Sequence, residues 1–186
     1  MNTIRNLDLK LSRKVHNSNL GAFEVFLLPW GYLFQPPFVW VAPTMFGLGW
    51  LFHDKIYESH VRWLWLWSMV GLYIVAMIVN LYFTTKVKRS IGWIRPFLNN
   101  TQRLANLWGM ESNCAMPSGD TSQAAMMAAM IGLHLHNPYF IVCVPLVMIA
   151  RVYYQCHWFG DTITGTCMGV NIAFWTWVLV KIISLI

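Results

Sequence analysis

Three short stretches of this 186-residue sequence hold most of the side chains that could do chemistry. In the last of them Arg151 is followed by His157, and His157 by Asp161 four residues on. On a helix or tight turn that spacing lets the carboxylate accept the imidazole proton. This fixes the tautomer and makes the other ring nitrogen more nucleophilic. The same Asp161 would equally cap a helix starting at Thr162. In the first stretch Lys88 and Arg95 are about two helical turns apart, so a helix would point both the same way before Pro96 ends it. An ammonium and a fork-shaped guanidinium on one face suit a phosphate, although a juxtamembrane pair also serves simply to anchor a span. In the middle stretch Pro117-Ser118-Gly119-Asp120-Thr121 leads into an apolar run and reads as a helix entry. Free amides there attract anions, and Gly119 lets one approach the backbone; a plain capped helix start would look the same.

The elements that must position these residues are membrane helices. The chain is 57% hydrophobic and only 11% charged, against about 25% charged in soluble domains, so the natural solvent for its surface is a bilayer. Eleven Trp and seven Tyr fit the membrane–water interface. A net charge of +6 would point to nucleic acid in a soluble domain, but here the cations flank apolar spans and line one site, so no nucleic-acid partner is expected. The four cysteines show no CxxC and no His/Cys ligand spacing, which argues against a zinc site or a disulfide framework. Residues 1–20 read as a basic amphipathic segment, with Ile4, Leu7, Leu11 and Val15 on one helical face; a disordered tail is the alternative. Prolines break 22–52 into two short spans or a re-entrant hairpin. The expected fold is all-α: a single polytopic membrane bundle over 1–186 with about six transmembrane helices, at 22–35, 38–52, 63–83, 121–135, 138–154 and 162–182. Two crossings separate the second polar stretch from the third, so all three meet at one membrane face.

The pattern Lys88-x6-Arg95-Pro96, then Pro117-Ser118-Gly119, then Arg151-x5-His157-x3-Asp161 resembles the type 2 phosphatidic acid phosphatase superfamily, the lipid phosphate phosphatases, in order, internal spacing and placement at span ends. The resemblance implies that His157 attacks phosphorus and forms a phosphohistidine, oriented by Asp161. It implies that Lys88, Arg95 and Arg151 hold the phosphate oxygens, with Ser118 and the backbone amide of Gly119. No metal or other cofactor is implied, since three cations and a helix terminus supply the positive charge. Two positions depart from the family pattern. Asp120 stands where a histidine general acid is usual, and Ala150 stands where a serine usually precedes the arginine.

The function this implies is metal-independent hydrolysis of a lipid phosphate or lipid pyrophosphate at the bilayer surface. A non-catalytic binder or carrier of phosphorylated lipid is the alternative, and a phosphotransferase would need no change in these residues. With six spans the site lies opposite the N-terminus. Setting aside Lys88, Arg95 and Arg151, the N-terminal side then holds Arg5, Lys10, Arg13, Lys14, Lys55, Arg62 and Lys181, against Lys86, Arg89 and Arg103. The positive-inside rule therefore predicts a cytoplasmic N-terminus and an exoplasmic, lumenal or periplasmic site.

Overall fold

The structure is a computed structural model that describes residues 2–35, 44, 59–97, 102–111 and 114–185. Among the described residues the fold is all-α, with six α-helices: α1 (Asn2–His16), α2 (Glu24–Tyr32), α3 (Ser59–Ile91), α4 (Gly119–Leu135), α5 (Cys143–Tyr153) and α6 (Phe159–Ile183). Short 3₁₀ turns at Gly21–Phe23, Trp108–Met110 and Pro138–Val142 join them. The helix count matches the expected number of spans for a different reason. Helix α1 is not one of those spans, and the span expected at 38–52 lies, but for Thr44, outside the described residues.

Among the described residues two helices are long and apolar enough to cross a bilayer, Trp67–Ile91 within α3 and Phe159–Ile183. Most of each is not covered by the rest of the protein, and Val75, Ile78, Phe83, Ile163, Phe174 and Leu179 point outward. Apolar side chains facing outward along a whole span need hydrocarbon around them. Helix α4 is the opposite case. It is rich in Ala and Met, buried over most of its length, and forms the centre of the bundle. Met126, Met127, Met130 and Ile131 pack with Met69, Tyr73 and Met77 of α3, Val147 of α5 and Ala173 of α6. Ser122 Oγ donates to Asn80 Oδ1 at 2.7 Å, which ties α4 to α3 inside the apolar layer.

Helices α4 and α6 touch backbone to backbone. A Cβ added at Gly165 would run into the Ser118 carbonyl, and one at Gly169 into the Ser122 carbonyl and, at 2.8 Å, the Met126 nitrogen. Small residues four apart are the usual way membrane helices approach this closely. The approach lets the Ser118 N–H donate to the Asp161 carbonyl at 2.9 Å, fixing the middle and last polar stretches against each other.

The first thirty-five residues differ from the sequence expectation. The sequence reading has 22–35 as a short span, with a re-entrant hairpin over 22–52 as the alternative. Helix α2 instead has nine residues with Pro29 inside it, about 14 Å of helix against a hydrocarbon core of about 30 Å. It stays beside the polar end of the bundle: Glu24 accepts from Leu104 N–H and Tyr153 O–H, and the Gly31 carbonyl accepts from Arg151. Helix α1 packs at that same end, where His16 Nε2 lies 3.3 Å from the His157 carbonyl. The expectation of an N-terminus opposite the site is therefore corrected, because residues 2–35 never leave the site's end. Arg5, Lys10, Arg13 and Lys14 now join Lys86, Arg89 and Arg103 on the site's side. The cation count reverses and no longer supports an exoplasmic site.

Substituting Gly169→Ala should destabilise the detergent-solubilised protein by about 1–3 kcal/mol, the usual cost of overpacking, because the neighbouring atoms are backbone and cannot step aside. Gly132→Ala on α4, whose added Cβ meets nothing within 4 Å, should be neutral or stabilising. Thermal unfolding of the two variants side by side checks this: equal behaviour would mean that the α4–α6 approach is looser than described.

Candidate active site

Helix α3 carries Lys88 one turn from its end. Gly92, at φ +63°, closes the helix in the left-handed conformation that glycine adopts freely, and its N–H returns to the Lys88 carbonyl at 3.0 Å. The helix thus stops before Arg95, and the expected two-turn helical alignment of Lys88 with Arg95 is corrected. The turn, not the helix, brings them together. Two indoles then pin the extended segment: Trp158 Nε1 donates to the Ile94 carbonyl at 3.1 Å and Trp108 Nε1 to the Pro96 carbonyl at 3.0 Å. Ala115 N–H donates to the Trp93 carbonyl at 2.8 Å, bringing in the middle stretch.

The spacing from Arg151 to His157 has a structural cause. Helix α5 ends in a Schellman turn: Gln155 sits at φ +59°, its N–H bonds the Val152 carbonyl at 2.9 Å, and Cys156 N–H bonds the Arg151 carbonyl at 3.0 Å. The chain folds back over the helix end, which puts His157 beside the last turn. Helix α6 then starts at once, with Asp161 Oδ2 accepting the Trp158 N–H at 2.8 Å. Asp161 therefore caps the helix, as one reading of the sequence had it, and also faces the histidine, with His157 Nδ1 at 3.6 Å.

His157 is buried, and its other nitrogen, Nε2, lies 3.3 Å from Arg95 Nη1. Burial first, then the Arg151, Arg95 and Lys88 charges, holds the imidazole well below its ordinary value of 6.5, so it is neutral at neutral pH. Arg151 is completely buried; its Nη1 donates to the Gly31 carbonyl at 3.0 Å, and its Nε lies 3.0 Å from Asp120 Oδ2. Asp120 thus faces a guanidinium.

Ser118 is the N-cap of α4. Its Oγ accepts from Thr121 N–H at 3.4 Å and lies 2.9 Å from Thr121 Oγ1, while its own N–H is taken by Asp161. Those contacts are the ones a plain capped helix start would make. Gly119 opens the helix with no atom within 4 Å of where a Cβ would stand, so the space in front of it is open. Among the described residues no three His, Cys, Asp or Glu side chains gather as metal ligands would.

The largest omission from the sequence reading is Glu111. Its Oε2 accepts Arg95 Nη2 at 2.7 Å; its Oε1 accepts Arg151 Nη2, and Gln35 Nε2 at 3.0 Å. Burial pushes this carboxyl up, but Arg151, Arg95 and Lys88 together outweigh it and hold it below the ordinary carboxylate range. Helix α1 was also missed as part of the site. Asp8 Oδ1 accepts the Gly160 N–H at 3.0 Å and Ser12 Oγ the Phe159 N–H at 2.9 Å, while Ile4, Leu7 and Leu11 face outward. The signal was present: Asp8, Ser12 and His16 recur at every fourth position. A cavity of about 420 Å³ opens between α1 and the Arg95 segment, lined by Arg5, Arg13, Trp93, Arg95, Phe97 and Trp158.

The fold is that of an integral membrane protein: an all-α bundle with exposed apolar spans, ending in buried cations around a buried histidine. Residues 65–183 match the model of the PAP2 superfamily, and the chain belongs to that family. The fold is similar to that of a transmembrane PAP2-type phosphatidylglycerolphosphate phosphatase from Bacillus subtilis, with a TM-score of 0.71 at 19% identity over 97% of this chain and 88% of that one. It is also similar to LpxE from Aquifex aeolicus, with a TM-score of 0.66 at 20% identity over 91% and 94% of the two chains. Among curated proteins none matches the sequence significantly.

Removing the α1 contacts should loosen the start of α6. Asp8→Ala and Ser12→Ala each strand one backbone donor next to His157 and should cost about 1–3 kcal/mol. Thermal unfolding in detergent checks this, and no loss in the double variant would mean that α1 rests on the site without supporting it.

Proposed function

We propose that this protein hydrolyses a terminal phosphate or diphosphate on a lipid, with His157 as the nucleophile. The observation that carries the reading is the histidine's orientation: Nδ1 faces Asp161 and Nε2 faces the cations. In the reaction Nε2 attacks phosphorus, an N–P bond forms and the bond to the leaving oxygen breaks. The positive charge that develops on the ring is balanced by the Asp161 carboxylate, which faces the Nδ1 proton. Lys88, Arg95 and Arg151 hold the three non-bridging oxygens in a water-poor setting, where preorganised charge is most effective. Water then cleaves the N–P bond and releases inorganic phosphate. A non-catalytic binder would have no use for an imidazole kept neutral and aimed into a cluster of cations.

His157→Ala should abolish phosphate release while leaving the folded protein intact, and rapid quench of the wild type should trap an acid-labile phosphoenzyme. The neutral imidazole is the reactive form and its pKa is depressed, so it persists as pH falls and is lost only below the ordinary value of 6.5. The acid limb of kcat/KM should therefore lie below pH 6.5. Normal turnover in His157→Ala would remove the nucleophile assignment.

The leaving group follows from Asp120. The guanidinium 3.0 Å from Asp120 Oδ2 favours the ionised carboxylate, which makes Asp120 a reluctant proton donor. An alkoxide leaving group needs that proton; the lipid monophosphate released from a diphosphate does not. The preferred substrates are accordingly lipid diphosphates, of which prenyl diphosphates are one class. Asp120→His should raise monoester hydrolysis at neutral pH by about 10²-fold or more, with a much smaller gain on diphosphates. Equal gains on both classes in phosphate-release assays would show that position 120 does not control leaving-group protonation.

A further inference from the structure

Glu111 belongs to none of the three motifs, yet it holds the position they enclose. Its two oxygens engage Arg95 and Arg151 separately, Gln35 supports one of them, and the Lys88 charge acts on it as well. These are the cations read above as the phosphate seat, and a planar carboxylate forked between two guanidinium groups makes the contacts that two phosphate oxygens would make. Glu111 is carried by the loop residue just after the Trp108–Met110 turn, not by a helix, so it can swing away without unpacking the bundle.

We propose that Glu111 is an internal competitor built into the anion seat: a carboxylate that an incoming phosphate must displace from Arg95 and Arg151. The inference rests on the reading of those cations as the phosphate seat. Every anion is weakened by the same factor, so only those with a strong intrinsic hold succeed. A terminal phosphate carries about −1.5 to −2 charge at neutral pH and has oxygens to spare for Lys88 as well. A phosphodiester carries a single charge and two free oxygens, which is what Glu111 already supplies. The surface of a bilayer is crowded with phosphodiester headgroups at concentrations no free substrate reaches. A carboxylate of matching charge keeps them out of the seat while terminal phosphates still enter.

The test is direct binding of inorganic phosphate and of dimethyl phosphate to the full chain in detergent, by calorimetry, for the wild type, Glu111→Gln and Glu111→Asp. Glu111→Gln should bind both anions about 10- to 100-fold more tightly, by a common factor, and dimethyl phosphate should become measurable. Glu111→Asp keeps the charge but is too short to reach both arginines, so it should tighten both by a smaller factor; it also serves as the readout should Glu111→Gln fold poorly. Phosphate binding that is equal or weaker in the variants than in the wild type overturns the inference and leaves the seat standing. Absence of phosphate binding in all three proteins overturns the seat itself, and the inference with it.

Discussion

A guanidinium with no exposure to solvent has to be surrounded by acceptors, and much of this structure can be understood as the means of surrounding Arg151. Leaving such a charge unpaired would cost several kcal/mol, far more than any single surface contact returns. Its partners come from three separate parts of the chain: the Gly31 carbonyl from α2, Asp120 from the start of α4, and Glu111 from the loop between α3 and α4. Gly31 and Asp120 cannot move far without stranding the cation, and Glu111 can leave only where another anion takes its place. The short helix α2 is held against the bundle by this requirement as well as by its apolar contacts, and so is the loop that carries Glu111.

The same end of the bundle gathers most of the acidic residues of an apolar chain. Asp8, Glu24, Glu111, Asp120 and Asp161 each take a backbone donor or a cation there. Acids are expensive near a membrane and persist where they have partners. Here they do two jobs. Asp8, Glu24 and Asp161 tie α1, α2 and α6 to the rim by accepting backbone N–H groups. Glu111 and Asp120 offset the positive charge of Lys88, Arg95 and Arg151, which would otherwise repel one another across a small, poorly hydrated space.

What was legible in the sequence was the chemistry carried by local spacing. His157 and Asp161 are close because four residues bring them close, and Lys88, Arg95 and Arg151 stand out as rare cations in an apolar chain. The way they converge was less legible. A Schellman turn with Gln155 in the left-handed conformation, and a helix stopped by Gly92, place these side chains, and neither turn carries a strong sequence signature except the glycine. The Gly165 and Gly169 contact was visible only as two small residues four apart. Glu111 was unreadable because its partners are sixteen and forty residues away in sequence; nothing local marks it as more than a lone surface acid. The topology of 2–35 misled for a physical reason. Apolar content predicts immersion, but an apolar segment broken by Pro29 and tied by Glu24 and Gly31 to the rim can be immersed without crossing.

Helix α1 explains how a site with so much buried charge can meet a lipid at all. Its polar stripe of Asp8, Ser12 and His16 lies on the site, and its apolar residues Ile4, Leu7 and Leu11 point away from the protein. An isolated amphipathic helix would do the reverse in water, so this arrangement is stable only where the outer face meets hydrocarbon or the headgroup boundary. For the proposed lipid phosphate, that puts the site at the level where phosphate groups sit. The cavity beside Arg95 is lined by Arg5 and Arg13 together with Trp93 and Trp158, the Arg5 guanidinium lying over the Trp93 ring. Ile94 and Phe97 flank it at 75% and 83% exposure, values that make sense for side chains bathed in lipid tails and little sense in water. Cations and apolar surface at one opening suit the proposed substrate, a molecule with a phosphate at one end and a chain at the other. For the proposed substrate, the first sixteen residues and the Arg95 segment together would supply the place for the lipid chain, beside His157 at the junction of α5 and α6.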